Sequence, residues 1–364
     1  MKITEITNCL EQIAPIHFQE SYDNSGLITG NKDLEVNQAL ITLDCTEDIV
    51  DEAIAKKCEL IITHHPIVFK GLKKLNGKNY VERTIIKAIK NNISIYAIHT
   101  NLDNVKNGVN KKICDKLGLT NCQILAPKSD LLRKLIVFCP STHAAKVRSA
   151  ICNAGAGKIG NYDYCTFNSV GEGTFRGNKK TNPFVGKQGE IHEEKEIKIE
   201  AIFPSHLQEK ILETMYQEHP YEEVAYDIIL LHNKYQKIGS GMIGNLERPM
   251  KSNEFLKFVK KQMKTDCIRH TEIVKKEIQK IAVCGGSGSF LLENAKQMQA
   301  DVFISSDFKY HEFFDAENDL IIADIGHYES EQFTKELIKD IIKENFPKFA
   351  THLSELNTNP INYL

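Results

Sequence analysis

The sequence predicts an α/β protein: a discontinuous domain with a mainly parallel sheet and flanking helices, interrupted by an α+β ferredoxin-like insert. Three observations carry this expectation. Strand and helix patterns alternate through residues 38–119, the alternation breaks between about residues 126 and 245, and it resumes from residue 279. Alternating βα units argue for parallel strands covered by helices. A rhythm that stops and returns argues for one domain holding another within it. The expected division is 1–125 with 246–364 for the outer domain and 126–245 for the insert.

In the first run, "QALITLD" reads as a strand and "TEDIVDEAIAKKC" as an amphipathic helix opened by Thr46. "ELIITHH" is the next strand and "YVERTIIKAIKNN" its helix, followed by the strand "ISIYAIHT" and the helix "VNKKICDKLGL", stopped by Gly118. The interrupting segment opens with the strand "KLIVFC" and the helix "STHAAKVRSAICNAG". Two extended stretches follow around "YDYCTFNSVGEGTFRG", then a Gly-, Asn- and Lys-rich loop, "KEIKIEAIFP", the helix "SHLQEKILETMYQE" and the strand "VAYDIIL". That order matches a βαββαβ unit. From residue 279 come "QKIAVCG", a helix to Gln299, "ADVFISSD", a short helix, "NDLIIADIGH", and a long helix from Glu329 to about Asn345.

Composition narrows the class. Lys plus Arg is 46 and Asp plus Glu is 48 in 364 residues, a net charge of -2. That balance offers no electrostatic footprint for nucleic acid or an anionic membrane. No apolar run approaches a membrane span, and Glu5, Asn8 and Glu11 occupy the place where a signal peptide needs an apolar segment. The expected location is cytoplasmic. Ten cysteines lie scattered with no C-x-x-C pair, several of them in apolar strands, as Cys139 and Cys284 do. Buried reduced thiols are the expectation, rather than disulfides or a cysteine metal site.

Three strands of the outer domain run into metal-capable residues at their C-terminal ends: His64 and His65, then His99 and Asp103, then His327 and Glu331. Ligands bind outside the carboxyl ends of strands in open parallel sheets. Glu331 follows His327 by four residues, which puts both on one face of a helix opening near Tyr328. Taken singly, each residue has a plainer reading. A His-His pair is commonly structural or solvated, Asp103 in "TNLDN" suits a turn or N-cap, and Glu331 suits an exposed helix. Gathered at successive strand ends, His64, His65, Asp103, His327 and Glu331 supply the donors of a two-metal site. Mixed imidazole and carboxylate suits zinc, iron, manganese or nickel without choosing among them.

"THHP", "AIHTNLD" and "GHYESE" resemble the metal-binding motifs of the Nif-three-like family, whose members are named GTP cyclohydrolase 1 type 2 homologs. The resemblance runs nearly end to end, through "YDNSGLITG", "HPYEEVAYDI", "CGGSGS", "SSDFKYHEF" and "NTNPI". It implies two divalent metal ions per chain, held by His64, His65, Asp103, His327 and Glu331, with Glu331 bridging. It also implies an insert similar to small trimeric signalling and metal-tolerance proteins, and a toroidal homohexamer with its metal sites facing an internal cavity. The sequence departs from the family pattern at Tyr22, at "SSD" in place of Thr-Gly-Asp, and at "GSG" from residue 239.

Around these motifs, His311 reads either as a general acid/base near the metals or as a partly buried helix histidine. His99 reads as a residue that orients a ligand, and His192, His206 and His219 read as surface residues. "CGGSGS" reads as a tight glycine turn between strand and helix, more readily than as a phosphate cradle. The function expected is a metal-dependent hydrolase using metal-activated water, acting on a small molecule such as the purine nucleotide GTP that the family name implies. The alternative is a non-enzymatic metal-handling or regulatory interaction protein. A purely structural metal site fits less well, because five ligands shared by two ions leave open positions.

Overall fold

The computed structural model describes residues 1–364. The chain divides into two units, residues 1–127 with 236–364, and residues 128–235.

In the first unit, α1 (Ile3–Ile13) buries Ile3, Ile6 and Leu10 on one face and precedes β1 (Gly26–Thr29). Then come β2 (Gln38–Thr42), α2 (Glu47–Ala55), β3 (Leu60–Thr63), α3 (Tyr80–Lys90), β4 (Ser94–Ala97), the short α4 (Thr100–Asn104), α5 (Val109–Lys116) and β5 (Thr120–Lys128). Local chemistry sets these helix ends. The Thr46 side chain accepts from the Ile49 amide and Asn79 accepts from Glu82, so each caps an orphan donor. Gly118 adopts φ 65° just past α5, the left-handed turn that ends a helix there.

The second unit contains β6 (Leu132–Pro140), α6 (Ala144–Ala154), β7 (Thr166–Phe175), β8 (His192–Pro204), α7 (Gln208–Glu218) and β9 (Tyr226–Leu231). Its four strands lie in the order β7-β8-β6-β9, and every pairing is antiparallel. Leu135, Val137, Ile199, Ala201 and Phe203 point to one face of this sheet, where they pack with Val147, Ile151, Ile211 and Met215 of α6 and α7. "YDYCTFNSVGEGTFRG" holds the single strand β7 rather than two extended stretches. His219 is not a surface residue. It is 7% exposed, its Nε2 donates to the Phe138 carbonyl (2.9 Å), and its Nδ1 accepts from the Tyr221 amide (3.1 Å).

The chain returns to the first unit along β10 (Tyr235–Lys251), followed by α8 (Ser252–Gln262), β11 (Arg269–His270), β12 (Glu277–Ser287), α9 (Leu292–Gln297), β13 (Val302–Ser306), β14 (Ile321–Asp324), α10 (His327–Glu331), α11 (Thr334–Asn345) and β15 (Ala350–Leu353). A five-stranded sheet runs β1-β4-β3-β2-β15, with only β1 antiparallel to its neighbour. A six-stranded sheet runs β11-β14-β13-β12-β10-β5; β12, β13 and β14 are mutually parallel, while β11 and β10 pair antiparallel.

Two expectations change here. The long closing helix is broken: Gln332 donates to the Met263 carbonyl (2.8 Å) and Phe333 is buried, so the chain bends between α10 and α11. "CGGSGS" does join a strand to a helix, but most of it is strand: β12 continues through Ser287 with a kink at Gly286 (φ 62°), and Gly288 alone leads into the 3-10 turn (Ser289–Leu291) before α9. The Gly285 amide donates to Asn110 (2.9 Å) and the Gly286 amide to the Ser330 hydroxyl (2.9 Å), so these two donors serve the fold. No helix is long and apolar enough to cross a membrane. All ten cysteines are free thiols, and Cys139 and Cys284 are buried.

Candidate metal centre

The functional side chains sit where two sets of strands end. β3 stops at Thr63, and His64 and His65 follow it with ring centroids 4.9 Å apart. Leaving the strand before the pair allows both imidazoles to turn to one side. β4 leads through His99 into α4, which carries Asp103. β14 leads through Gly326 (φ 91°) into α10, where His327 and Glu331 stand one turn apart.

Glu331 is the hub. It is 3% exposed; its Oε2 lies 2.9 Å from His65 Nε2 and 3.2 Å from His327 Nε2, and its Oε1 lies 3.9 Å from His64 Nε2. Burial works against its charge, but His327, His64 and His65 together hold its carboxyl well below the usual range. Two glycines make room for it. A Cβ on Gly286 would sit 2.5 Å from Glu331 Oε1, and one on Gly285 3.3 Å from its Cγ.

Each histidine is aimed by a partner on its other nitrogen. His65 Nδ1 meets Asp44 Oδ1 at 2.7 Å, His327 Nδ1 meets Asp307 Oδ2 at 2.6 Å, and His99 Nδ1 meets Asp23 Oδ1 at 2.8 Å. His64 Nδ1 lies 2.8 Å from the Ile98 carbonyl. These contacts direct Nε2 of each ring inward, the arrangement by which neighbouring groups orient metal-binding imidazoles. For His65, burial opposes the charged ring, but Asp44 and Glu331 outweigh it and push its pKa up to about 10. For His327, Glu331 and Asp307 overcome burial and push it up to about 11. Burial pushes the Asp103 carboxyl upward, with Glu331 adding and His64 opposing.

The fit to a metal rests on His64. A carbonyl only accepts, so Nδ1 carries the proton and Nε2 presents a lone pair. That lone pair faces Asp103 Oδ1 at 3.5 Å and Glu331 Oε1 at 3.9 Å. His64 is fully buried, and neither its Nε2 nor Asp103 Oδ1 has a hydrogen-bond partner. Buried acceptors facing one another are unfavourable without a cation between them. His64, Asp103 and Glu331 hold donor atoms within 4.8 Å of one another, as do His65, His327 and Glu331. A third such group contains His64, His65 and His99.

The structure thus brings together His64, His65, Asp103, His327 and Glu331. It adds His99 as a ligand-capable neighbour, where sequence reasoning gave it an orienting role. His311 lies outside the cluster, exposed on a short 3-10 helix (Tyr310–Ala316) with its ring against Tyr310 and Phe314. Sequence reasoning assigned no role to Asp44 or Asp23. The available signal for Asp44 was its place after β2, at the same edge of the sheet as His65. Ser306, the second residue of "SSD", needs no special backbone: it ends β13 and its hydroxyl donates to the Gly286 carbonyl (2.6 Å), while Asp307 takes the left-handed conformation (φ 59°).

The family description Duf34/NIF3 (NGG1p interacting factor 3) matches residues 1–360. The chain belongs to the NIF3 family. NIF3-family relatives named GTP cyclohydrolase 1 type 2 homolog include one from Halalkalibacterium halodurans, 40% identical over 99% of this chain and 98% of that protein. Another, from Bacillus subtilis, is 36% identical over 99% of this chain and 98% of its own length. Among solved structures, the Bacillus cereus protein related to NIF3 aligns with a TM-score of 0.85 at 37% identity, covering 100% of this chain and 99% of that one.

Replacing Asp44 or Asp307 by Asn removes the charge that aims His65 or His327. Each variant is expected to bind metal about 10- to 100-fold more weakly with the fold intact. Competition with a chelating dye, alongside circular dichroism, measures both; unchanged affinity in both variants would remove the aiming role.

Proposed function

We propose that this NIF3-family chain binds two divalent metal ions, His64 and Asp103 holding one, His65 and His327 the other, and Glu331 bridging both, and that it is a metal-dependent hydrolase. The observation that carries the reading is the pair of buried, unpartnered acceptors on His64 and Asp103, set against a carboxylate that two separate donor groups share. When bound, a pair of such ions supplies Lewis acidity and activates water near neutral pH. This chain's own residues hold the donors in place: Asp44 and Asp307 orient two imidazoles, the Ile98 carbonyl a third, and Gly285 and Gly286 leave the space in which Glu331 sits. The relatives' name points to GTP or a related purine nucleotide as the substrate class. The position of His311 does not support a proton-transfer role. In the insert, the βαββαβ order and the strand order β7-β8-β6-β9 support a ferredoxin-like fold.

The test is turnover. Metal-loaded protein, incubated with GTP and a panel of purine nucleotides, is expected to consume at least one of them, as followed by chromatography. Asp103→Ala should fall to the background rate. Stoichiometric metal with no turnover on any compound, and ready transfer of that metal to an acceptor, would replace the hydrolase by a metal-handling protein.

A further inference from the structure

Two sequence stretches that play no part in the metal centre meet in the unit of residues 128–235. "FNSVGEGTFRG" and "HPYEEVAYDI" together line a cavity of about 580 Å³, within the size range of small-molecule sites. Its floor is the face of the sheet that α6 and α7 leave uncovered. On that face the register pairs Ser169 with Lys198, Gly171 with Glu196, and Phe138 with Lys198. Paired residues point the same way, opposite to Ile197 and Ile199, which turn toward the helices. β7 thus contributes Ser169, Gly171 and Gly173 to the floor, and the absence of bulk there opens the space. A Cβ on Gly171 would meet nothing within 4 Å.

The walls are aromatic. Phe175 and Phe184 stand against Tyr221, with ring centroids 6.1 and 6.3 Å away, and Phe138 completes the lining. The loop that carries Phe184 is pinned over the floor. Its Asn182 amide donates to Glu222 (2.9 Å), and Phe184 packs against His143 (5.2 Å).

Charge on these walls is uneven. Lys198 is paired with Glu200, Glu222 is held by the Asn182 amide, and Glu172, Glu223 and Arg176 are exposed. Glu196 differs from all of them: it is half-buried and makes no ion pair. Its carboxylate lies in the gap above Gly173, where Oε2 comes within 2.3 Å of the place a Cβ would take. Beside it the buried Tyr221 hydroxyl faces the Glu196 carboxylate. An unneutralised carboxylate flanked by aromatic faces attracts a cation by charge and by the ring quadrupoles together. The same carboxylate repels an anion.

We propose that this cavity binds a small organic cation with an apolar body, an alkyl- or arylalkylammonium compound, its charge facing Glu196 and its body between Phe175, Phe184 and Tyr221. The site is built from residues 138–225, all within the second unit.

Benzyltrimethylammonium is the probe, titrated into the full-length protein by calorimetry, with benzyl alcohol and benzoate as neutral and anionic counterparts. The cation is expected to bind with a dissociation constant below about 1 mM, about tenfold more tightly than benzyl alcohol, and benzoate is expected not to bind. Glu196→Gln should remove that preference and leave benzyl alcohol binding unchanged. Gly171→Leu places a side chain in the cavity without touching backbone and should abolish binding of both. Gly171→Ala, a smaller intrusion, should weaken both by less, and circular dichroism confirms that each variant is folded. Absence of cation binding by the wild type, as when another copy of the chain fills the space, overturns the proposal. So does benzoate binding equal to that of the cation, or full cation affinity in folded Gly171→Leu.

Discussion

Glu331→Ala is expected to leave a folded protein with little metal, and the wild type purified without chelator is expected to carry about two equivalents per chain. The size of the effect follows from the sharing of one residue. Glu331 supplies an oxygen to the group of His64 and Asp103 and another to the group of His65 and His327. Its loss takes each half from three protein donors to two, and both halves lose their common anion. Glu331→Gln separates charge from shape, since the amide still fits the space beside Gly285 and Gly286 and still contacts the three rings. Elemental analysis of all three proteins decides the matter. Metal below about a fifth of the wild-type content is expected for alanine, with glutamine between the two. Wild-type content in both variants would remove Glu331 from the site, and with it the bridge on which the two-metal reading depends.

The residues at this centre were legible in the sequence to different depths, for a physical reason. His64, His65 and Asp103 follow β3 and β4, neighbours in the five-stranded sheet, and the carboxyl ends of parallel strands in one sheet share an edge. His327 and Glu331 follow β14 of the six-stranded sheet, so the strand-end pattern marks them as candidates while the packing of the two sheets brings them to the others. The groups that aim them follow no such rule. Asp44 lies 21 residues from His65, Asp23 lies 76 from His99, and Asp307 lies 20 from His327. Which carboxylate reaches which nitrogen is settled by tertiary packing, and that leaves no local pattern to read. The break between α10 and α11 was hidden likewise, because "ESEQFTKEL" contains neither glycine nor proline. The tertiary contacts of Gln332 and Phe333 override a continuous helical pattern there. The cavity of the second unit lay deeper still. "FNSVGEGTFRG" shows its glycines, but their meaning depends on which face of β7 they occupy and on Phe184 and Tyr221 arriving from two other segments.

Metal affinity is expected to rise steeply with pH, by up to about a hundredfold per unit between about pH 7 and 9, because metal and protons compete for the same nitrogens. In the metal-free protein, Asp44 with Glu331 pushes His65 up to about 10, and Glu331 with Asp307 pushes His327 up to about 11. Both rings are therefore protonated at neutral pH before metal arrives. The sign for stability follows from the same shifts. A histidine whose pKa is raised by folding stabilises the metal-free fold fully below its unfolded value of about 6.5, and that contribution is lost as pH climbs through about 10 and 11. For binding, the linkage runs the other way, since Nε2 of each ring must shed its proton to take a metal. Each proton released contributes a factor of ten per pH unit, so two protons set the hundredfold limit. Calorimetry of zinc binding in buffers of different ionisation enthalpy counts the protons directly, and about two per chain are expected. Asp44→Asn and Asp307→Asn should each lower the count, because without its carboxylate the ring returns toward its ordinary value and sheds its proton before metal binds. Release of no protons, together with an affinity that does not change with pH, would show that His65 and His327 are not ligands. The bridge through Glu331 would then join His64 and Asp103 to nothing, and a single-metal site would be the reading left standing.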